Sequence, residues 1–494
     1  MNRLEQRLHK LGGILEAAQA LTSERDFDKL LGLIVQSAAR VVDADRCTLF
    51  LVDRDKNELW SKVAQGVTMK EIRFPIGVGI AGAVAATGKL INIPDAYADD
   101  RFNPAFDKQT GYRTHSILCA PMKSLDGEVV GVLQALNKND GEPFTAEEEE
   151  LILALGGQAA AAVNNALLHK EIEQLFEGFV QASVVAIEAR DPTTAGHSER
   201  VARLSVGLAD VLPNAGSTAG RWKGSALSKK ERQELRYASL LHDFGKVGVR
   251  ENVLVKANKL EPGELEALRN RFETLFVQQE LAAEREKVAA LIAGGPETRE
   301  KLAAIEAALA ASVRELHEML EFILGCNKPT LLAEGSFGRL GSIAQRRIQS
   351  PFGGDKPLLT EGEILKLSVR KGSLTEEERR EIESHVSHTY RFLSQIPWTR
   401  DLRRVPDIAY GHHEKLTGRG YPQGLAEVAI PVQTRMMTIS DIYDALTASD
   451  RPYKRAVPRE KAYDILKDEA KRGEVDTDLL AVFIEADVPG KSKA

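Results

Sequence analysis

The chain has 494 residues, of which 43% are hydrophobic and 28% charged, and its formal net charge is −6 at pH 7. This length predicts two to four domains of about 100–200 residues each, and the negative charge argues against the broad basic field that attracts DNA or RNA. Three widely spaced cysteines, Cys47, Cys119 and Cys326, argue against a disulfide framework, so we expect a cytoplasmic protein.

The N-terminal residues 1–24 predict a short helix, because Leu4, Leu8, Leu11 and Leu15 recur at helical spacing. The segment lacks the apolar core of a signal peptide. No run of about eighteen apolar residues occurs in the sequence, and we therefore expect no membrane span.

Residues 25–165 predict an α+β domain with a central antiparallel sheet. The strand candidates are CTLFLVD (47–53), SILCAPM (116–122) and VVGVLQALN (129–137). The last two flank Asp126-Gly127, a pair that favours a tight turn.

A long helix is predicted for residues 145–190, which contain no proline and end before Asp191-Pro192. It carries an apolar stripe at helical spacing: Leu151, Leu155, Ala159, Val163 and Leu167. A parallel coiled-coil homodimer would bury this stripe. The alternative is that the stripe packs on the helix's own two domains.

The remaining residues, 191–480, predict an all-α domain. Within it, residues 262–326 predict a helical hairpin with its turn at Gly294-Gly295-Pro296. Residues 327–358 are rich in Gly, Ser and Pro and predict a loop.

Histidine and aspartate supply the candidate chemistry of this C-terminal half. The chain has ten histidines, and five stand in polar, Gly-flanked or helix-edge contexts: His197, His242, His385, His412 and His413. His242 precedes Asp243, and such a pair can place a nitrogen and a bridging oxygen on metal ions such as iron, manganese or zinc. Two such ions would clamp a phosphodiester and activate water. Lys246, one turn after His242, could hold a phosphate oxygen.

Five segments in this order, HSERVARLS, LLHDFGK, ESHVSHTYRFL, HHEKLTGRGYP and SDIYDALTASDRPYK, resemble the HD-GYP subgroup of HD-domain phosphohydrolases. The resemblance implies a helical bundle that holds two or three metal ions, commonly iron or manganese. It also implies hydrolysis of cyclic di-GMP to linear pGpG or to GMP.

Carried over by position, the resemblance implies seven metal ligands: His197, His242, Asp243, His385, His412, His413 and Asp441. Asp243 would bridge two ions, and Lys246 would bind phosphate or donate a proton. Gly420, Tyr421 and Pro422 would shape the substrate pocket, and Arg451 and Lys454 would contact phosphate.

The sequence departs from the HD-GYP pattern at three places. Thr417 stands where the loop usually has Asp, and Thr193 stands where members with a third metal carry Glu, so we expect two ions. Lys246 and His385 are far apart in the chain, which indicates that residues 262–358 are an insertion. It could be a lid, a docking arm for a protein partner or an inert decoration.

Residues 25–165 resemble a GAF domain of the type found in cyclic-nucleotide phosphodiesterases, on the segments GIAGAVAATGKLINIPDAY (79–97), FDKQTGYRTHSILCAPM (106–122) and GVLQALNK (131–138). Five residues match its signature: Asn137, Lys138, Phe144, Glu148 and Glu149. We expect Lys138 to pair with one of the two glutamates as a structural clasp. The resemblance implies that the domain binds cyclic AMP or cyclic GMP; a ligand-free dimerisation module is the alternative.

The leading hypothesis is a GAF-regulated, two-metal phosphodiesterase for a cyclic dinucleotide, with cyclic di-GMP preferred over cyclic GMP-AMP. One alternative is an HD hydrolase of mononucleotides or alarmones. The other is a catalytically weak nucleotide receptor that signals through the inserted hairpin.

Overall fold

The computed structural model describes residues 12, 15–24, 26–61, 72–191, 195–350, 353–448 and 456–491. The chain divides into two compact units, Met1–Gly178 and Phe179–Ala494. The first is an α+β unit and the second is almost entirely helical, which confirms the predicted fold class.

A six-stranded antiparallel sheet with the strand order β3-β2-β1-β6-β5-β4 is the centre of the first unit. Its strands are β1 (Ala44–Asp53), β2 (Glu58–Ser61), β3 (Ile72–Pro75), β4 (Ile91–Ile93), β5 (Ile117–Lys123) and β6 (Val129–Lys138). The predicted strands correspond to β1, β5 and β6. The turn at Asp126-Gly127 joins β5 to β6 as expected, with Gly127 at a φ of 82°.

Four helices surround this sheet: α1 (Phe27–Val41), α2 (Gly79–Thr87), α3 (Ala105–Thr110) and α4 (Ala146–Arg190). Residues of β1 alternate between two cores, as the period of a strand requires. Leu49 and Leu51 join one core cluster with α1 and α4, whereas Phe50 joins a second cluster with α2. The sheet is therefore covered by helices on both faces.

The predicted long helix is confirmed as α4, which runs on from the first unit into the second. Its predicted stripe does not need a second chain. Leu151, Leu155, Ala159 and Val163 are buried in the core of the first unit, and Leu167 packs against that core. For this stripe the alternative, packing within its own domain, is the correct one.

Helix α4 bears on the expectation that no segment of the chain spans a membrane. Among the helices in the described ranges, it alone has a length and composition compatible with a membrane crossing, and 39% of its most apolar stretch is buried. Core helices share these properties, so they are weak evidence for a span.

The second unit contains fourteen described α-helices, which begin and end within it, and a small β-hairpin. The helices that precede and form the insertion are α5 (His197–Val211), α6 (Lys229–Leu241), α7 (Glu251–Leu254), α8 (Pro262–Ala293), α9 (Thr298–Asn327) and α10 (Ser336–Ala344). The hairpin strands are β7 (Arg347–Gln349) and β8 (Asp355–Pro357). The helices that follow are α11 (Glu361–Leu367), α12 (Glu376–Glu383), α13 (His385–Leu393), α14 (Val405–Tyr410), α15 (Val432–Thr447), α16 (Arg459–Lys471), α17 (Thr477–Glu485) and α18 (Val488–Lys491).

The inserted hairpin is confirmed as α8 and α9, but the loop prediction for residues 327–358 is wrong. That segment contains α10 and the β7–β8 hairpin. Its apolar side chains, Leu340, Ile343 and Ile348, pack with Leu268 and Phe272 in one core cluster. The Gly and Ser content of the segment predicted a loop. The local sequence could not show that these apolar residues are buried, because their burial depends on partners from the distant helices α8 and α9.

Candidate metal centre

The seven predicted ligands are carried by five segments of the second unit. His197 is the first residue of α5, and His385 is the first residue of α13. The pair His242-Asp243 directly follows α6, the pair His412-His413 follows α14, and Asp441 lies within α15. Six of the seven are buried, and His413 is half-buried.

These side chains converge in three overlapping groups whose potential ligand atoms lie within 4.8 Å of one another. The groups are His197, His242 and Asp441; His242, Asp243 and His412; and His385, His412 and His413. The ring centroids of His242 and His412 are 4.8 Å apart, and those of His412 and His413 are 4.0 Å apart. The structure therefore brings together all seven residues, whose roles as ligands stay predictions.

Three of the imidazoles are oriented by the same local contact. In each, Nδ1 donates to the carbonyl oxygen three residues earlier in the chain: His242 to Ser239 at 2.7 Å, His385 to Ile382 at 2.5 Å and His412 to Ala409 at 2.7 Å. With the proton on Nδ1, the lone pair is on Nε2.

The three Nε2 atoms of His242, His385 and His412 are buried without a hydrogen-bond partner. Buried polar atoms are rarely left unsatisfied, because the loss of solvation is costly. Three converging imidazole lone pairs beside Asp243 and Asp441 are a donor set that suits a divalent transition metal. The residues present thus fit the metal ions that the sequence implies.

His197 is held differently, by a carboxylate that the sequence analysis missed. Its Nδ1 donates to Asp444 Oδ2 at 2.7 Å, and its Nε2 lies 3.2 Å from Asp441 Oδ1. The Arg200 guanidinium fixes Asp444 through two hydrogen bonds, of 2.7 and 3.0 Å. Asp444 follows Asp441 by three residues on α15, a spacing that places both on one helix face and could have indicated it.

Asp243 is central to the cluster and pairs with Lys246. Its Oδ2 accepts from Lys246 Nζ at 2.8 Å, and its Oδ1 lies 3.4 Å from His385 Nε2. Burial alone would raise the pKa of Asp243, but Lys246 and His242 hold that pKa well below its usual range. Asp243 is therefore ionised at neutral pH.

Burial also sets the charge of the imidazoles. It lowers the pKa of His242 and, more strongly, the pKa of His412, and it lowers the pKa of His413 to about 4. In His197 the effect of burial is outweighed by Asp441 and Asp444, which raise its pKa to about 9. The first three are thus neutral near pH 7, as metal ligands must be, whereas His197 must lose a proton.

Close backbone packing fixes the turn that carries Asp243. A Cβ atom on Gly245 would lie 1.9 Å from the carbonyl oxygen of His385, so only glycine fits. The Gly245 N–H donates to Thr389 Oγ1 at 2.8 Å, and that hydroxyl donates to the His242 carbonyl at 2.9 Å. Thr389 thus links two ligand-bearing segments across 147 residues of sequence.

The Gly420-Tyr421-Pro422 segment lies against the paired histidines. The Tyr421 ring is 4.7 Å from the His413 ring, and a Cβ on Gly420 would lie 2.6 Å from the His413 carbonyl oxygen. Glu414, a buried residue not predicted from sequence, accepts the N–H groups of Gln423 and Leu425 at 2.7 and 2.9 Å. It holds the loop beside the cluster.

Other expected residues lie elsewhere. Thr417 pairs with Ala426 in an isolated β-bridge and lines a separate pocket with Gly473. Arg451, Lys454 and Thr193 lie outside the described residues.

The signature residues of the first unit form the expected clasp. Lys138 Nζ lies 3.3 Å from Glu148 Oε1, which joins β6 to α4. Asn92 donates to Glu149 Oε1 and to the carbonyl of the buried Phe144, both at 2.8 Å. The Asn137 side-chain amide accepts a hydrogen bond from the His115 N–H and donates one to the Arg113 carbonyl. These contacts are structural.

A cavity of about 260 Å³ opens on the other side of the sheet from α1 and α4. Its described lining combines three arginines, Arg46, Arg73 and Arg101, with aromatic and apolar side chains such as Tyr112 and Phe50. The Arg46 guanidinium lies 4.0 Å from the centre of the Tyr112 ring. Arg73 lies 3.0 Å from Asp53, Arg101 lies 2.6 Å from Asp99, and Asp107 also lines the cavity, so its lining is of mixed charge.

The protein-family models for a GAF domain and for an HD domain match residues 26–163 and 360–479, respectively. His385, His412, His413 and Asp441 fall within the second match, whereas His197, His242 and Asp243 precede the insertion. The structure shows that both sets belong to one cluster.

Several curated proteins are similar to part of this chain. The dual 3',5'-cyclic-AMP and -GMP phosphodiesterase 11A of Takifugu rubripes is 41% identical over 166 residues, which is 31% of this chain and 18% of that protein. A probable 3',5'-cyclic phosphodiesterase of Caenorhabditis elegans is 37% identical over 159 residues, which is 30% of this chain and 22% of that protein. The chain thus spans about a fifth of the length of these relatives.

Solved structures with similar folds cover about a third of the chain. The GAF domain of a phosphoenolpyruvate-protein phosphotransferase from Coxiella burnetii is 23% identical, covers 33% of this chain and 98% of that one, and has a TM-score of 0.31. A GAF domain/HD domain protein from Geobacter sulfurreducens is 18% identical, covers 31% of this chain and 98% of that one, and has a TM-score of 0.26.

Proposed function

We propose that this chain, which carries a GAF domain followed by an HD-family domain, is a metal-dependent phosphodiesterase that hydrolyses a cyclic dinucleotide. Cyclic di-GMP is the preferred substrate, and linear pGpG or GMP is the product. The GAF domain regulates this reaction, and the protein acts in the cytoplasm.

One observation carries the proposal: seven histidine and aspartate side chains from five segments meet in one buried cluster, with three imidazole nitrogens unsatisfied. The group of His197, His242 and Asp441 and the group of His385, His412 and His413 support two ion sites. Asp243 lies near both, since it contacts His197 at 3.6 Å and His385 at 3.4 Å. We therefore assign it as the bridging ligand for two ions, with iron or manganese preferred.

When bound, two divalent cations supply Lewis-acid polarisation of the phosphodiester and a nucleophile near neutral pH. The chain's own residues then position and stabilise the substrate. Lys246 holds a phosphate oxygen or protonates the leaving oxygen, because its pKa is raised and it stays charged: burial alone would lower that pKa, but Asp243 and Asp191 outweigh it. Arg451 and Lys454 are proposed as further phosphate contacts.

The substrate assignment rests on the loop at Gly420, Tyr421 and Pro422. Its position beside His413 would let Tyr421 border the phosphodiester and a stacked base. The relatives are named for 3',5'-cyclic nucleotides, so cyclic AMP and cyclic GMP are substrates to test beside the dinucleotides. They are also the ligands that we propose for the arginine-lined GAF cavity.

We also propose that the protein is a homodimer through a different stripe of α4 from the one first predicted. Residues 161, 165, 168, 172 and 175 recur at coiled-coil spacing and are all exposed. The apolar members Leu168, Ile172 and Leu175 are 55%, 62% and 77% exposed. A second copy of the helix would cover them.

The deciding experiment is anaerobic hydrolysis by protein reconstituted with iron(II) or manganese(II). The substrates are cyclic di-GMP, cyclic GMP-AMP, cyclic AMP and cyclic GMP. We expect fastest turnover of cyclic di-GMP, loss of all turnover in Asp243→Ala, and full activity in Asp464→Ala, whose residue is exposed on α16. Turnover of the mononucleotides alone would overturn the substrate assignment. Metal binding without any turnover would favour a receptor.

A further inference from the structure

We infer that Asp191, the residue that ends the connecting helix α4, is a positioning residue for Lys246, so that the end of this helix is a working part of the phosphodiesterase site. The inference rests on the proposed function and extends it to regulation. It concerns contacts within the second unit.

The last turns of α4 are firmly embedded in that unit. Val180, Val184 and Ile187 are buried, and the helix ends at Arg190. Arg190 Nη2 donates to the Val249 carbonyl at 3.4 Å, just beyond the turn that carries Asp243 and Lys246. The helix end is therefore fixed to the segment that follows the His-Asp pair.

Asp191 also contacts this segment, through Lys246. It is buried, 3% exposed, and its Oδ2 lies 3.4 Å from Lys246 Nζ. The ammonium of Lys246 lies 2.8 Å from Asp243 Oδ2 at the same time. Two carboxylates thus engage one ammonium, which has three N–H donors. The third donor is left for a substrate oxygen.

The carboxylates of Asp243 and Asp191 differ in whether they could also bind a metal ion. Asp243 belongs to a group that could hold a metal ion, whereas Asp191 belongs to none of the groups found among the described residues. A carboxylate shared with a dication attracts an ammonium less strongly, because the cation's charge offsets its own. Asp191 is then the main anchor that keeps Lys246 directed at the substrate.

This arrangement gives a physical route for regulation. Asp191 follows directly on α4, and its position depends on how the helix ends. A shift or rotation of the helix end moves the anchor of Lys246 while the seven candidate ligands stay on other elements. Regulation through α4 would therefore change catalysis without removing metal.

The test compares Asp191→Asn, Asp191→Glu, Lys246→Met and the double variant Asp191→Asn/Lys246→Met in the full chain. The control, Glu378→Gln, breaks a buried ion pair with Lys256 at the base of the insertion. Three quantities are measured: manganese content, hydrolysis of cyclic di-GMP, and the shift in unfolding temperature that inorganic phosphate causes in the manganese-loaded protein.

We expect Asp191→Asn to lower kcat/KM on the order of tenfold to a hundredfold at unchanged metal content. It should also reduce the phosphate-induced shift, and Asp191→Glu, which keeps the charge, should restore part of both. The double variant should match Lys246→Met within about twofold, because the two residues act as one unit. Glu378→Gln should leave hydrolysis and the shift unchanged.

Two results would overturn the inference. One is that Asp191→Asn lowers kcat/KM by the same factor in the wild-type background and in the Lys246→Met background. The other is that the loss of hydrolysis only follows a loss of metal content or of folded protein. If the wild-type protein hydrolyses nothing, the proposed function fails, and the phosphate-induced shift in unfolding temperature alone tests the role of Asp191. A shift that is lost in Lys246→Met but unchanged in Asp191→Asn would contradict the proposal that Asp191 anchors Lys246. A shift that needs neither residue rejects both proposals.

Discussion

Individual residues of the candidate centre are fixed on the side that faces away from the cluster. His242, His385 and His412 each use Nδ1 for a backbone carbonyl, so their orientation follows from helix geometry. His197 instead relies on the side chain of Asp444, which is itself fixed by Arg200. Among these four imidazoles, that of His197 is therefore the one whose orientation a substitution of its side-chain partner can alter.

Asp444→Asn should lower manganese affinity about 10- to 100-fold, because the variant keeps the shape but loses the charge that orients and polarises His197. Titration calorimetry on the metal-free protein would measure it. Asp464→Asn, an exposed change on α16, is the matched control. Equal affinities of the Asp444→Asn and wild-type proteins would refute the orienting role.

The raised pKa of His197 predicts a pH effect on the metal-free protein. Burial opposes the shift, but Asp441 and Asp444 raise the pKa from 6.5 to about 9. Because the pKa is higher in the folded than in the unfolded state, protonation of His197 stabilises the folded protein. This stabilisation is fully present below pH 6.5 and is lost as the pH rises to about 9. The loss is at most about 3 kcal/mol.

Urea unfolding of the metal-free protein at pH 6.5 and pH 9 would test this prediction. We expect the free energy of unfolding to fall over that interval, and the fall to shrink in His197→Gln. A free energy that rises with pH in the wild-type protein and is unaffected by the substitution would be the contrary result.

At this scale the sequence indicates which residue types could bind metal, but not which residues orient them. The candidate ligands were predicted from motifs in the order expected. Asp444 and Asp191 were missed because their contacts join residues far apart in the chain; the His197–Asp444 bond spans 247 positions. The contacts of Glu414 are only 9 and 11 positions away, but they depend on how the loop folds back. Short spacings could show only that Asp444 shares a helix face with Asp441.

Among the elements, α4 shows what a periodic pattern can and cannot decide. Two stripes at helical spacing run along it. One, beginning at Leu151, is buried in its own domain, and the other, which includes Leu168 and Leu175, is exposed. Helix-forming composition without proline predicted the helix and its length correctly, but the surrounding domain decides which stripe remains available.

Replacing both Leu168 and Leu175 by Glu should convert the proposed dimer to a monomer. Exposing two leucine positions and adding like charges costs an interface about 3 kcal/mol or more. Sedimentation equilibrium measures the mass, and Gln174→Glu, which adds one negative charge beside the stripe on an exposed position, should remain dimeric. A monomeric wild-type protein, or a dimeric double variant, would remove this stripe as the interface.

The elements of the insertion were predicted in part. The hairpin of α8 and α9 follows from its helix-forming composition and its Gly-Gly-Pro turn. The sequence of helix α10 predicts a loop, because Gly and Ser separate its apolar residues, Leu340 and Ile343. These residues are helical since α8 and α9 supply the surface on which they pack, which no local pattern reveals.

Considered as a whole, the second unit is a helical core with a separately packed insertion. The insertion has its own core cluster, which includes Leu260 and Leu367 beyond the predicted limits of 262–358. Its base is closed where the chain leaves and returns. Lys259 Nζ donates to the Leu367 carbonyl at 3.1 Å, and the Lys259 N–H donates to the Asn327 carbonyl at 2.9 Å.

A protein in which residues 261–366 are replaced by a short Gly-Ser linker should therefore fold and bind manganese with the affinity of the full chain. The chain ends to be joined are adjacent, so the linker closes a short gap at little entropic cost. Metal content and circular dichroism test the folded site, with Asp243→Ala in the shortened protein as the control. A shortened protein that folds but binds no metal would show that the insertion supports the site.

The insertion also sets the order in which a ribosome completes the metal centre. Three candidate ligands, His197, His242 and Asp243, precede it, and four follow it: His385, His412, His413 and Asp441. Asp441 follows Asp243 by 198 residues (441 − 243), so at synthesis rates of about 5–20 residues per second the first three wait roughly 10–40 seconds for the last. During that interval the nascent chain presents an incomplete donor set, which holds any ion weakly. Capture of the proposed ions would thus be a late event, which is complete only after Asp441 has been made.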